Sequence, residues 1–120
     1  MTYARNQALG SYGERIAADH LVASGLVILD RNWRCRFGEI DIVARDGTTL
    51  VICEVKTRSN LTFGPPTEAV TTHKANRLRR LAQAWLETHD VHPPAVRIDL
   101  VSVLVPRSGA AEVDLIRGVA

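Results

Sequence analysis

Hydrophobic positions along the chain keep two rhythms, one helical and one extended. Across residues 9–24, Tyr12, Ile16 and the residues around Ala17 and Leu21 recur at helical spacing. Gly25 follows where a helix end favours a left-handed residue. At about 100° per residue, Glu14 lies near Leu21 in azimuth and edges the apolar face, whereas Arg15 and Asp19 look outward. The rhythm then shortens. Residues 26–33 start apolar and β-branched before turning polar. Residues 38–44 alternate with period two, and residues 50–57 answer them across Asp46-Gly47, a strong hairpin signal. The three segments predict an antiparallel meander.

Residues 59–70 carry no rhythm, because Gly64, Pro65 and Pro66 break it; a loop of that length in a small domain is expected to be mobile or functional. Thr71 or Thr72 can cap the next helix, whose buried stripe is Leu78, Leu81, Ala82 and Trp85. His92-Pro93-Pro94 closes the linker to a strand over 95–105, and a short strand over 112–119 pairs with it across the turn at 106–110. The order is α-β-β-β-α-β-β. A helical crossover between the third and fourth strands makes them parallel neighbours. The expected fold class is α/β, a mixed central sheet flanked by helices, in one domain spanning 1–120 with residues 1–8 loose.

Composition narrows this picture modestly. A hydrophobic fraction of 46% supplies a core without disulfide or metal staples, and a net charge of +2 permits nucleic-acid binding without demanding it. Cys35 and Cys53 have neither CxxC spacing nor a histidine pair, so zinc is not expected, and Cys53 reads as a small buried hydrophobe. Without a signal peptide or long apolar segment, the expected compartment is the cytoplasm, with no membrane partner.

The informative residues are charges inside strands, where Asp and Glu are depleted. Asp41 lies between Ile40 and Ile42, and Glu54 and Lys56 flank Val55. Residues two apart in a strand share a face, about 6.6 to 6.8 Å apart. Glu54 therefore goes with Lys56, and Glu39 with Asp41. Pairing across the Asp46-Gly47 hairpin brings all four to one side, an expensive arrangement without a purpose. Clustered carboxylates raise one another's pKa unless a cation neutralises them. A hard divalent ion such as Mg²⁺ suits that task, and Lys56 is placed to orient a water or stabilise developing charge. The alternative is a solvated edge-strand ion pair, since Glu-x-Lys with an upstream Asp recurs by chance in many chains.

Gly38-Glu39-Ile40-Asp41-Ile42-Val43-Ala44 followed by Glu54-Val55-Lys56-Thr57-Arg58 resembles the PD-(D/E)XK, restriction-endonuclease-like nuclease superfamily. More closely, the chain resembles the bacterial YraN family, from Gly13-Glu14 through Arg31-Asn32 to Lys74 and Arg97-x-Asp99. The resemblance implies that Asp41 and Glu54 bind Mg²⁺, with Mn²⁺ as a substitute, and that Lys56 is the catalytic lysine. It further implies that Glu14 completes the acidic cluster, as in archaeal Holliday-junction resolvases. Ile40 stands where a proline often precedes the aspartate.

Among basic residues, Lys74 shares an azimuth with Leu81 and Trp85 and points toward the sheet, while Arg79 and Arg80 point away. Arg58, Lys74 and Arg77 are the phosphate candidates, with Arg58 favoured because it leaves the strand of Lys56. His73, His89 and His92 lie near helix ends and read as capping or solvated; Trp33 and Trp85 read as core or rim. The leading expectation is a Mg²⁺-dependent endonuclease on DNA, including branched or structured DNA in repair or recombination, with a homodimer expected for a resolvase-like enzyme. Its rivals are a non-catalytic nucleic-acid-binding module of the same fold and a protein-interaction subunit of a DNA-processing machine.

Overall fold

The computed structural model describes residues 3–59 and 71–119, with side chains from residue 7 onward. Its elements run α1 (Tyr3–Ala23), β1 (Val27–Cys35), β2 (Gly38–Asp46), β3 (Thr49–Arg58), α2 (Thr72–Thr88), β4 (Ala95–Leu104) and β5 (Glu112–Ile116). The five strands form one mixed sheet in sequential order, antiparallel except for the parallel β3–β4 pair. The α2 crossover produces that parallel pair, as the element order predicts. The expected loop at 59–70 falls, apart from Ser59, outside the described residues.

Each helix covers one sheet face. Ala17, Ala18 and Leu21 of α1 pack with Ile42, Ala44, Val51, Cys53, Val101 and Val103. Leu78, Leu81, Ala82 and Trp85 of α2 pack with Ile40, Val43, Leu50, Ile52 and Ile98 on the opposite face. A side chain at Gly13 would not fit: its Cβ would lie within 2.7 Å of Thr57 Cβ. This close approach sets α1 directly on β3 and brings Glu14 down to the sheet.

Local signals account for the element ends. Thr71 caps α2, its hydroxyl accepting from the Lys74 N–H at 3.2 Å. Gly47, at φ 61°, opens the two-residue loop of the β2–β3 hairpin, with Asp46 opposite Thr49 as the closing pair. A positive φ at the first loop position is the demand of a II′ turn.

Two expectations for the first helix are corrected. It begins at Tyr3, so residues 3–8 are helical and not loose, on good helix formers such as Ala4, Arg5, Gln7 and Ala8. Tyr12 is 41% exposed, with the Arg15 guanidinium 5.4 Å from its ring centroid. The close packing at Gly13 turns the buried stripe onto Gly13, Ala17, Ala18 and Leu21, leaving Tyr12 outside.

Candidate functional site

The alternation expected over 38–44 breaks at its centre. Ile40 lies in the α2-side core and Ile42 in the α1-side core, although residues two apart in a regular strand share a face. Opposite this break, Asn32 of β1 has φ 53°, the left-handed region that asparagine tolerates better than most residues. The β1–β2 register is the same on both sides of it, with Arg31 opposite Ile42 and Trp33 opposite Ile40. Both strands therefore change faces together, and Asn32 turns toward α1, where its side chain hydrogen-bonds Glu14.

The sheet forks at the same level. The β2–β3 ladder ends at Ile42 opposite Cys53, while β3 continues beside β4 as far as Arg58 opposite Leu104. Asp41 lies in the mouth of the fork, where its Oδ2 accepts the N–H of Val55 at 2.8 Å. Carboxylate oxygens of Glu14, Glu39 and Asp41 all lie within 4.8 Å of one another. Three elements or strand segments thus converge: α1 through the Gly13 contact, β2 through its face change, and β3 through its backbone.

Among the described residues, positive charge reaches this cluster at its edges. The exposed Arg34 pairs with Glu39 through Nε at 3.1 Å. On the α2 side, Lys74 Nζ lies 2.9 Å from Glu54 Oε1. Asp41 carries the consequence: burial, and then the nearby Glu54 charge, push its carboxyl up to about 7, with Glu14 and Glu39 adding to the rise against the Val55 hydrogen bond. Burial also raises Glu14, opposed by the Asn32 hydrogen bond and by Arg31 and Arg34, while Glu39 adds to the rise.

The sequence-derived candidates divide. Glu14 and Asp41 come together, and Glu54 is near enough to act on Asp41 electrostatically. Among the described residues, Glu39 completes the close oxygen triplet in place of Glu54, which is engaged by Lys74. Glu39 was visible as the residue sharing a face with Asp41, but only the approach of α1 marks it as a potential ligand. Lys56 is exposed and makes no ion pair among the described residues. Lys74 points toward the sheet, as its azimuth predicts, and Arg77 is exposed. Arg58, the favoured phosphate candidate, is only 7% exposed at the end of β3.

The lesser candidates settle into structural roles. His89 is the α2 C-cap residue, stacked on Trp85 with centroids 3.9 Å apart, and the Trp85 indole N–H donates to Asp30 Oδ2 at 3.1 Å. Cys53 is fully buried, and burial pushes its thiol up to about 12, consistent with an inert core residue. Arg97 and Asp99 pair with each other, as their shared face predicts. Among the described residues, no helix is long and apolar enough to cross a membrane.

An all-oxygen donor set with an under-compensated carboxylate fits a hard divalent cation such as Mg²⁺. Comparison with known proteins finds relatives that are similar over nearly the whole chain. The chain is 61% identical over 112 residues to a UPF0102 protein of Beutenbergia cavernae, covering 93% of this chain and 95% of that one. It is 58% identical over 113 residues to one from Nocardioides sp., covering 94% and 91% respectively. A third, from Streptomyces coelicolor, is 59% identical over 115 residues, with 94% and 88% covered. Residues 13–103, which hold Gly13, the whole acidic cluster, Lys56 and Lys74, match the family described as Uncharacterised protein family UPF0102, and the chain belongs to that family.

Proposed function

We propose that this protein is a Mg²⁺-dependent endonuclease of the restriction-endonuclease-like, PD-(D/E)XK type acting on DNA. The observation that carries this reading is the convergence of Glu14, Glu39 and Asp41 at the sheet fork, with Asp41 pushed up to about 7 by burial and like charge.

When bound, Mg²⁺ (or Mn²⁺ in its place) supplies polarisation of a phosphoryl oxygen and acidification of a water. Asp41, with Glu39 and Glu14, would hold the ion; the Val55 N–H occupies one Asp41 oxygen and leaves the other available. Glu54 joins this set in the superfamily pattern, and Lys74 orients its carboxylate from α2. Lys56, two residues beyond Glu54 and open to solvent, offers an ammonium to the negative charge that develops on the phosphate. Lys74 and Arg77, on the first turns of α2, add positive charge for the strand entering the site.

A second reading, a non-catalytic nucleic-acid-binding module, draws on the 2.9 Å Lys74–Glu54 pair, which balances one carboxylate internally. One experiment separates them. Duplex, single-stranded, flap and four-way-junction DNAs are incubated with the protein and Mg²⁺ or Mn²⁺, beside the Lys56→Ala and Asp41→Asn variants. Metal-dependent cleavage by the wild type, lost in both variants while binding persists, supports the nuclease. Binding without cleavage on every substrate moves the assignment to the binding module.

A further inference from the structure

The β1–β2 hairpin carries a feature that neither folding nor the acidic cluster explains. Cys35 pairs with Gly38, so Arg36 and Phe37 form its two-residue loop. Such loops favour Gly, Asn, Asp, Pro and Ser, which satisfy turn geometry cheaply. Here an arginine and an aromatic ring stand at the tip, and Phe37 is 38% exposed. The loop is held by the Phe37 N–H donating to Cys35 Sγ at 3.4 Å.

Cations gather around this ring. The guanidinium carbons of Arg36 and Arg80 lie 4.8 and 5.6 Å from its centroid. On one side a cavity of about 310 Å³ is lined by Phe37, His73, Asn76, Arg77 and Arg80. On the other, a cavity of about 560 Å³ lies between Arg36, Phe37, Arg80 and Gln83, with Glu87 as its one acidic residue. Among the described residues, Arg36, Arg77 and Arg80 make no ion pairs. Phe37 is two residues from Glu39, and His73 adjoins Lys74, the partner of Glu54. The patch therefore borders the fork from both β2 and α2.

We propose that Phe37, with Arg36 and Arg80, is a stacking platform for unpaired bases of a nucleic-acid strand, whose phosphates are held by Arg77 and its neighbours. An aromatic ring amid arginines matches the two halves of a single strand, base faces and phosphates. In a duplex the base faces are covered by their neighbours, so an exposed ring gains nothing from paired DNA. The substrate class this adds is nucleic acid with a single-stranded segment, such as an overhang or a flap. Delivery of that strand to the acidic cluster rests on the nuclease reading, whereas the binding itself does not.

The test measures binding of the full chain in chelator, by fluorescence anisotropy, to a single-stranded oligonucleotide of about 12 nucleotides and to the blunt duplex of the same sequence. An internal 2-aminopurine reports stacking by its quenching. Wild type is expected to prefer the single strand and to quench the probe. Phe37→Ala should weaken single-strand binding about 5- to 150-fold, abolish quenching and leave duplex affinity unchanged, while Phe37→Trp restores both. Because Phe37 is a partly exposed loop residue, the variants should fold, which their melting curves check. Equal single-strand affinity in wild type and Phe37→Ala, or a wild-type preference for the duplex, overturns the platform. Cleavage is followed in parallel with Asp41→Asn. Phe37-dependent binding with no metal-dependent cleavage overturns the nuclease and keeps the platform; Asp41-dependent cleavage without a Phe37 effect does the reverse.

Discussion

Two carboxylate networks sit in the same sheet, and they are solved in opposite ways. In β4, Asp99 is fully buried, yet its oxygens meet Arg97 Nε at 2.9 Å, Arg97 Nη2 at 3.0 Å and the Gly118 N–H at 2.9 Å. Arg97 also reaches Asp46 at 3.1 Å. In β2, Asp41 is less deeply placed, but it receives one backbone N–H and faces Glu14, Glu39 and Glu54. Depth of burial therefore does not separate a compensated carboxylate from an uncompensated one. The balance of donors and charges does. Asp99 has its counter-charge built in, whereas Asp41 meets burial and like charge, which favour its protonated form.

The largest expected effect breaks the compensated network. Arg97→Ala leaves a fully buried Asp99 with, among the described residues, only the Gly118 N–H, and should destabilise the protein by about 3–5 kcal/mol. Urea unfolding measures it, and pairing Arg97→Met with Asp99→Leu should recover part of the loss. A cost below about 1 kcal/mol would show that the network is no better compensated than a surface pair.

The second effect has the opposite sign. Asp41→Asn keeps an oxygen for the Val55 N–H and removes the charge, so in chelator at pH 8 it should stabilise the protein by on the order of 1–3 kcal/mol. The pH dependence follows from the direction of the shift. The folded state holds the Asp41 proton up to about 7, whereas the unfolded chain releases it near 3.8. Between those values the native state binds more protons, so metal-free stability falls as pH rises and levels off above about 7. Asp41→Asn should flatten that fall, and millimolar Mg²⁺ should offset it in the wild type by binding only the folded state. Urea melts across the window check this. An unchanged slope in the variant would mean that Asp41 is as well compensated as Asp99.

The smallest effect concerns the edge of the acidic cluster. Arg34 pairs with Glu39, but its side chain is 76% exposed. Arg34→Ala should shift stability by less than about 0.5 kcal/mol, and less again in high salt. A larger loss would show that Arg34 compensates the cluster in earnest and would narrow the difference between the two networks.

Much of this protein was readable along the chain, because local rules set it. The element order was anticipated, with period-two spacing marking β2 and β3 and helical spacing marking α1 and α2; Asp46-Gly47 placed the hairpin, and of Thr71 and Thr72, Thr71 proved to be the α2 cap. The parallel β3–β4 pair followed from the crossover, and Asp41, Glu54 and Lys56 stood out as charges in strands. What the chain alone could not decide depends on residues that meet only after folding. The α1 stripe was rotated by the contact between Gly13 and Thr57, which no helical periodicity encodes. The face change at Asp41 needs Asn32 of another strand in a left-handed conformation, so strict alternation assigned Ile40 and Ile42 to one face when they occupy two. The Lys74–Glu54 pair, the burial of Arg58 and the entry of Glu39 into the oxygen triplet arise where separate segments converge. Spacing specifies which face a side chain prefers within its own element; which charges share a few ångströms is decided by how those elements fork, cross and pack.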